Sequence, residues 1–549
     1  MKIAVALLIL VVLLLGLVFS LPFLIDLNEY QDQYKPLIEE ALNREVQLQD
    51  IRLTIWPRIG ARVDGFTVLD DPAFGTDPFA SLRSLDVGVK VMPLLSGKIE
   101  VEEITLRDPV ITIIKNDHGV LNVSTIGRAG VAAPKTPSRA PIPSPEGPLR
   151  ILALLAVDRV SITGGNLTYQ DLSAAKPTEY RLQDLQLLLQ SVRLGETPTL
   201  QLQTVLQPLS LPVTLDGSFG PLKETADLDA INFQLSLGKT DFTLTGKTVG
   251  HDATVNLRSP VINTANLPIA LPLNKPVDIQ NLEIAAEVKG QDAKLNNLSF
   301  QLFEGQIKGQ AKVVTGMDAP PFQSNVTVER VQLGPVIEAL AATPLSVSGT
   351  AGADFSLQGR GFSKPELTQA LEGTGHLRVK EGRIEGVNLL HEALSMMKVV
   401  GISVDNAKAT AFSTIETDLA IKQGIVDVQR LLMDSHDFQA IGGGTIGFDQ
   451  TLNLAIRLNL SQELSQKIAS LSPVAKLALK EGRLSLPLTI SGTAQAPSYG
   501  LDMKGLTGNV QEQIKKKAEE AVGGLLKGTV KPQDMKQQGE ELLKGLMGR

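Results

Sequence analysis

The sequence predicts a mainly β protein: an N-terminal transmembrane helix, then a long antiparallel β-sheet with short interspersed helices, then a helical C-terminus. Three observations carry this. Residues Ile3–Ile25 are apolar except for Gly16, Ser20 and Pro22, and carry no charge. From Val157 to about Asp502, apolar and polar residues alternate with period two, as in strands with one apolar and one polar face. Glycine-centred turns recur between the alternating runs, Lys380-Glu381-Gly382-Arg383 and Lys480-Glu481-Gly482-Arg483 being near repeats. Glycine there supplies the positive φ of a tight hairpin.

As a helix, Ile3–Ile25 would be about 35 Å long at ~1.5 Å per residue, enough for a hydrocarbon core of about 30 Å. Ile3, Leu10, Leu15, Phe19, Phe23 and Ile25 mark this membrane anchor. A cleaved signal peptide would carry a shorter apolar core, about 7–15 residues, and an A-x-A-like site. Val18-Phe19-Ser20-Leu21-Pro22-Phe23 provides no such site. Lys2 and the terminal amine precede the run, and Asp26, Glu29 and Asp32 follow it, which places the N-terminus in the cytoplasm and the body across the membrane.

Composition narrows the function classes. The chain has 549 residues and no cysteine, which removes disulfides, thiolate catalysis, cysteine-ligated metals and a lipoprotein anchor, and suits an exported protein. A net charge of −7 argues against a nucleic-acid partner, and an aromatic content of 4% argues against base-stacking platforms.

Five regions follow in order: the anchor 1–25; a β-rich region 26–128, opened by an amphipathic helix over about Leu27–Asn43; a linker 129–148 with six prolines; a β-sheet body 149–505, its first residues a short apolar helix (Leu149–Ala156); and a charged amphipathic helical tail 506–549. Within the body, helices are expected at about Gly334–Ala342, Ser363–Leu371, Asn388–Val399 and Ser461–Leu471. Ser363-Lys364-Pro365-Glu366 has the Ser N-cap and early Pro and Glu of a helix start. The tail's lysines, including Lys515-Lys516-Lys517, belong to a solvated helix or meet anionic lipid headgroups.

No catalytic constellation emerges. His118, His251, His376, His391 and His436 show no metal-ligand spacing, and no nucleophile elbow or phosphate-binding loop occurs. Gly442-Gly443-Gly444-Thr445-Ile446-Gly447 fits G-x-G-x-x-G, but a strand pattern follows it rather than the helix that a dinucleotide site needs. The sequence therefore predicts no enzyme, no cofactor and no metal.

Motifs in order along the chain resemble the AsmA family of bacterial envelope proteins. They are the single anchor, Trp56-Pro57, Asp71-Pro72-Ala73-Phe74-Gly75, Pro93–Ile99, Asn116-Asp117-His118-Gly119 with Leu121-Asn122, Gly373-Thr374-Gly375, Gly382–Leu389, Gly442–Gly447, Asp449–Leu454, and Ile490–Thr493 with Ala496-Pro497-Ser498. The C-terminal part of the resemblance covers about 345–505.

The resemblance implies a bacterial inner-membrane, single-pass protein with a periplasmic body. It implies a sheet that curls into an open apolar groove, as in bridge-like lipid transfer proteins, with phospholipid and outer-membrane assembly as the functional setting. Candidate lining residues are Phe233, Leu235, Leu237, Leu452, Leu454, Ile456, Leu458, Leu484, Leu486, Leu488 and Ile490. The expected partners are membrane phospholipids, with envelope proteins second and no nucleic acid. The expected function is acyl-chain binding or conduction; the alternative is a non-catalytic scaffold or assembly factor for the envelope.

Overall fold

The structure is a computed structural model that describes residues 26–501, except 57, 99, 127–156, 174–177, 224, 226, 251, 268–270, 272, 341–345, 397–407 and 472–478. The predicted anchor, the proline-rich linker, the helix over Leu149–Ala156 and the tail 506–549 lie outside the described residues. Among those residues, twenty-five strands and a few short helices occur, and no helix is long and apolar enough to cross a membrane. The chain divides into two compact units: Met1–Ala270 with Glu287–Gly290, and Leu271–Ala286 with Gln291–Arg549.

The first unit begins with a 3-10 turn (Leu27–Tyr30), capped by the Asp26 carboxylate on the Asn28 N–H, and helix α1 (Gln31–Leu42), which ends at Asn43 in the left-handed region. Strands β1 (Val46–Gln47), β2 (Asp50–Thr54), β3 (Gly60–Leu69) and β4 (Pro78–Val89) follow. A short helix α2 (Val91–Leu95) leads to β5 (Val101–Arg107) and β6 (Val110–Lys115). Next come β7 (Val157–Asp171), β8 (Thr178–Val192), β9 (Thr199–Gln207), β10 (Leu211–Gly220), β11 (Leu228–Leu237), β12 (Thr240–Val249) and β13 (Asp252–Asn263).

The expectation of an all-antiparallel sheet is corrected at β7. This strand pairs parallel with β5 through Arg159–Thr163 and parallel with β6 through Asn166–Asp171. A parallel pair needs a crossover connection longer than a hairpin, and the chain between Lys115 and Val157 provides that length. Alternation in a sequence reports which face a side chain joins, not strand direction, so this reversal left no trace there.

The second unit holds β14 (Asp278–Lys289, at the division), β15 (Asp292–Leu302), β16 (Gly305–Val314), β17 (Pro321–Gln332), helix α3 (Leu333–Ala339), β18 (Val347–Arg360), helix α4 (Lys364–Ala370) and β19 (Glu372–Glu385). It continues with helix α5 (Leu389–Met396), β20 (Ala409–Lys422), β21 (Ile425–Asp434), β22 (Phe438–Gly447), β23 (Thr451–Leu460), helix α6 (Gln462–Leu471), β24 (Ser485–Thr493) and β25 (Pro497–Leu501). From β15 onward each strand pairs antiparallel with the next. The four helices predicted in the body are all present within a few residues. Ser363 and Glu366 form a reciprocal capping box at α4.

The repeated turns prove to be two devices. At Lys480–Arg483 the end residues exchange both backbone hydrogen bonds (2.9 and 3.0 Å), and Glu481 and Gly482 take φ of 52° and 77°. This is a two-residue hairpin with both central residues left-handed. Its near repeat Lys380–Ile384 does not turn at all. It lies within β19, where the register against β18 slips by one residue, and Glu381 at φ 50° makes a bulge.

Candidate functional site

Each unit presents a continuous apolar face built by register. In the first unit, directly opposed residues run from strand to strand as Ile51, Val63, Leu85, Leu106, Ile162, Leu187, Leu202, Leu215, Leu235 and Phe242. A second row passes through Leu53, Ala61, Val87, Ile104, Val160, Leu189, Leu200, Gly217, Phe233, Leu244 and Leu257. Opposed side chains share a face, so each row is an unbroken apolar stripe across ten or more strands.

Most of this stripe stays partly exposed. Val63, Leu85, Leu106, Ile162, Leu187, Leu202, Leu215 and Leu235 are neither buried nor free, whereas their neighbours Gln201, Gln203, Thr214, Asp216 and Gln234 face solvent on the other side. Large aliphatic side chains under a second layer would be fully buried. Here they are shielded by each other and left wet on top. One patch is closed: Val157, Val160, Leu189, Val192, Phe219 and Leu222 form a buried cluster at one end of the strands.

In the second unit the apolar face divides into an open and a sealed part. One row runs through Leu357, Gly373, Ile421, Val426, Ile446 and Leu452, its apolar side chains partly exposed. Further along β21–β23, and on the neighbouring β24, Met433, Ala440, Leu458 and Leu486 are at most 3% exposed. They pack in one cluster with Leu389, Leu390, Ala393 and Leu394 of α5 and Ile468 of α6. The buried Ser465 hydroxyl pins α6 down, accepting the Leu484 N–H at 2.9 Å.

The predicted lining residues fall on both sides of that division. Phe233, Leu235, Leu237, Leu452, Leu454 and Ile490 are partly exposed on the apolar face. Ile456, Leu458, Leu484, Leu486 and Leu488 are at most 5% exposed and belong to the helix-covered core. Sequence alternation gives β23 five equivalent apolar positions; only the placement of α5 and α6 separates Leu452 and Leu454 from Ile456, Leu458 and Leu460. Sequence reasoning missed the stripe through β3–β10. Its signal is present in the alternation of Leu200 and Leu202 within "TLQLQTVL" and of Val213 and Leu215 within "LPVTLDG", but bulges interrupt the period in β7 and β8. The predicted anchor residues Ile3, Leu10, Leu15, Phe19, Phe23 and Ile25 lie outside the described residues.

The opposite face is polar. A concavity of ≈ 540 Å³ lies there in the second unit, among Lys294, Asn296, Gln310, Lys312, Gln323, Asn325, Ser356, Gln358 and Thr374. Ser356 donates to Asn325 across it at 2.8 Å. Among the described residues, no group of three or more His, Asp or Glu side chains is placed to hold a metal. The glycine run 442–447 lies inside β22 with no helix behind it. A Cβ on Gly442 would sit 2.2 Å from the Ala455 carbonyl oxygen, so close strand packing accounts for it.

Comparison with curated proteins and with solved structures finds no match. The family model described as "AsmA family" matches residues 1–266 and 273–431, most of the chain. With that match behind the motifs read from the sequence, the chain belongs to the AsmA family.

Proposed function

We propose that this protein is tethered to the bacterial inner membrane by Ile3–Ile25, holds its β body in the periplasm, and binds or conducts phospholipid acyl chains along the apolar sheet face. The single observation that carries the reading is the apolar row across ten strands of the first unit, partly exposed on the eight strands between its buried ends Ile51 and Phe242. A soluble protein rarely leaves so long an apolar stripe uncovered without a ligand for it. Each CH₂ taken from water is worth about 0.8 kcal/mol, so a 16-carbon chain laid on a dry stripe gains roughly 12 kcal/mol. The term is non-directional, so a chain can slide without a specific site and no catalysis is required. Family membership supports an envelope and lipid setting, and a contribution to outer-membrane lipid homeostasis is part of the proposal.

The test is site-specific photo-crosslinking in the full chain in its native membrane. A photoreactive residue at Leu215 or Leu454 should capture phospholipid; the same residue at Gln203, on the polar face, should not. Capture of protein alone at Leu215 and Leu454 would reject acyl-chain binding and favour a scaffold.

A further inference from the structure

On the side away from its buried cluster, the apolar stripe of the first unit changes composition in a fixed order. β9 and β10 pair without a bulge from Leu200 to Leu206, so Leu206 shares the face of Leu202. Leu206 opposes Leu211 and Leu182, Leu182 opposes Leu167, and Leu167 opposes Ile111, a further apolar row that is partly exposed throughout. Two residues along the strands, Ile113, Tyr169 and Tyr180 stand in register, and Tyr180 is 45% exposed. Two residues beyond them come Lys115, Asp171 and Thr178. Along β6–β8 one face therefore passes from aliphatic side chains to tyrosines to a pair of charges. A phospholipid changes in the same order, from acyl chain through ester-linked glycerol to headgroup. Tyrosine, an apolar ring with a polar tip, suits the middle zone.

The polar groups at this corner converge on one atom. Asp171 Oδ2 accepts from the Lys115 ammonium at 3.1 Å and from the Tyr169 hydroxyl at 3.4 Å. Asp171 Oδ1 accepts the Ser173 N–H at 2.9 Å, which fixes the carboxylate in place. The Lys115 ammonium has three N–H donors and gives one to Asp171, so two remain for a ligand. Both side chains reach solvent, at 32% and 20% exposure. Lys115 and Asp171 together carry no net charge, and Asp117 in the adjoining turn adds a second acid. Among the described residues the corner thus has no surplus of positive charge for a purely anionic headgroup, and like charges brought together suppress the wrong partner. A headgroup carrying both signs complements it.

We infer that this corner receives the headgroup of a zwitterionic aminophospholipid whose acyl chains lie on the stripe. Lys115 meets the phosphate, Asp171 meets the ammonium, and Tyr169 and Tyr180 flank the ester region. This rests on the proposed acyl-chain binding and names the lipid class that the first unit selects.

The test equilibrates the full chain with vesicles of equal phosphatidylethanolamine and phosphatidylglycerol and identifies the retained lipid by native mass spectrometry. The unaltered chain should retain phosphatidylethanolamine in excess. Asp171→Asn and Lys115→Gln break the same ion pair but leave opposite charges behind. Asp171→Asn should raise the phosphatidylglycerol share and Lys115→Gln should lower it, each by roughly two- to fivefold, the scale of one partly exposed charge contact. A merely structural role of the pair would move both variants the same way. Asp216→Asn, the same charge change on the polar face, should leave the share unchanged. Excess phosphatidylglycerol on the unaltered chain overturns the inference, and so do variants that shift together or not at all; acyl-chain binding survives these results. A chain that retains no phospholipid overturns the acyl-chain proposal and this inference with it.

Discussion

Asp70 and Arg44 form an ion pair with side chains only 3% and 4% exposed, 3.9 Å apart. Asn122 completes the network: its amide donates to Asp70 at 2.6 Å and to the Thr112 carbonyl at 2.9 Å, its Oδ1 accepts the Ile114 N–H at 3.0 Å, and its backbone carbonyl accepts from Arg44 at 3.0 Å. Three segments distant in sequence are thus tied at one point. A buried pair costs most when one partner is removed, because the other charge stays desolvated. Asp70→Ala is expected to destabilise the first unit by about 3–5 kcal/mol, read as a shift in urea unfolding. Gly444 makes a second prediction at this scale. It adopts φ 142°, and a Cβ there would sit 2.1 Å from the Asn453 carbonyl oxygen. Gly444→Ala should therefore cost about 1–3 kcal/mol through forced backbone shifts, measured by thermal unfolding. The G-x-G-x-x-G pattern reads as close strand packing on this account.

At the scale of elements, β23 tests the division of the apolar face. Leu458 is 0% exposed and sits in the helix-covered cluster, while Leu454 is partly exposed. Leu458→Ala should cost about 2–5 kcal/mol with its cavity. Leu454→Ala should cost roughly 1 kcal/mol, since its methyls are already partly wet. Equal losses in thermal unfolding would mean that the face is covered throughout. The parallel junction of β6 and β7 is tested by pH. Ser173 hydrogen bonds, outweighing some desolvation and helped by Lys115 at 3.1 Å, hold the Asp171 carboxyl at about 2. A depressed carboxyl stabilises the fold above its unfolded value near 3.8, and that contribution disappears as pH falls through about 2. Hydrogen exchange at Ile111–Lys115 should accelerate over that window, and Asp171→Asn should show the faster exchange already at neutral pH.

At the scale of the molecule, the two units each carry a stripe, so on the proposed function lipid occupancy should respond to each separately. Leu202→Lys in the first unit or Leu454→Lys in the second should each lower the phospholipid retained in native mass spectrometry, and the pair together should lower it further, since each unit carries its own stripe. Thr214→Lys, on the polar face, should leave it unchanged. Much of this architecture was legible: period-two alternation gives strands and their apolar face because side chains of a pleated strand must alternate, and capping residues such as Ser363 and Glu366 marked a helix start. The sequence by itself determined the β class, the hairpin at Lys480–Arg483, the AsmA family and the absence of cysteine chemistry, all of them local or compositional. Only the tertiary structure decided that β7 runs parallel to β5 and β6, that Lys380–Ile384 bulges rather than turns, and that α5 and α6 seal Ile456, Leu458 and Leu460 of β23 while leaving Leu452 and Leu454 partly exposed. The physical reason is the same in each case: burial and strand direction depend on partners brought from far along the chain, and no local period encodes which partner arrives.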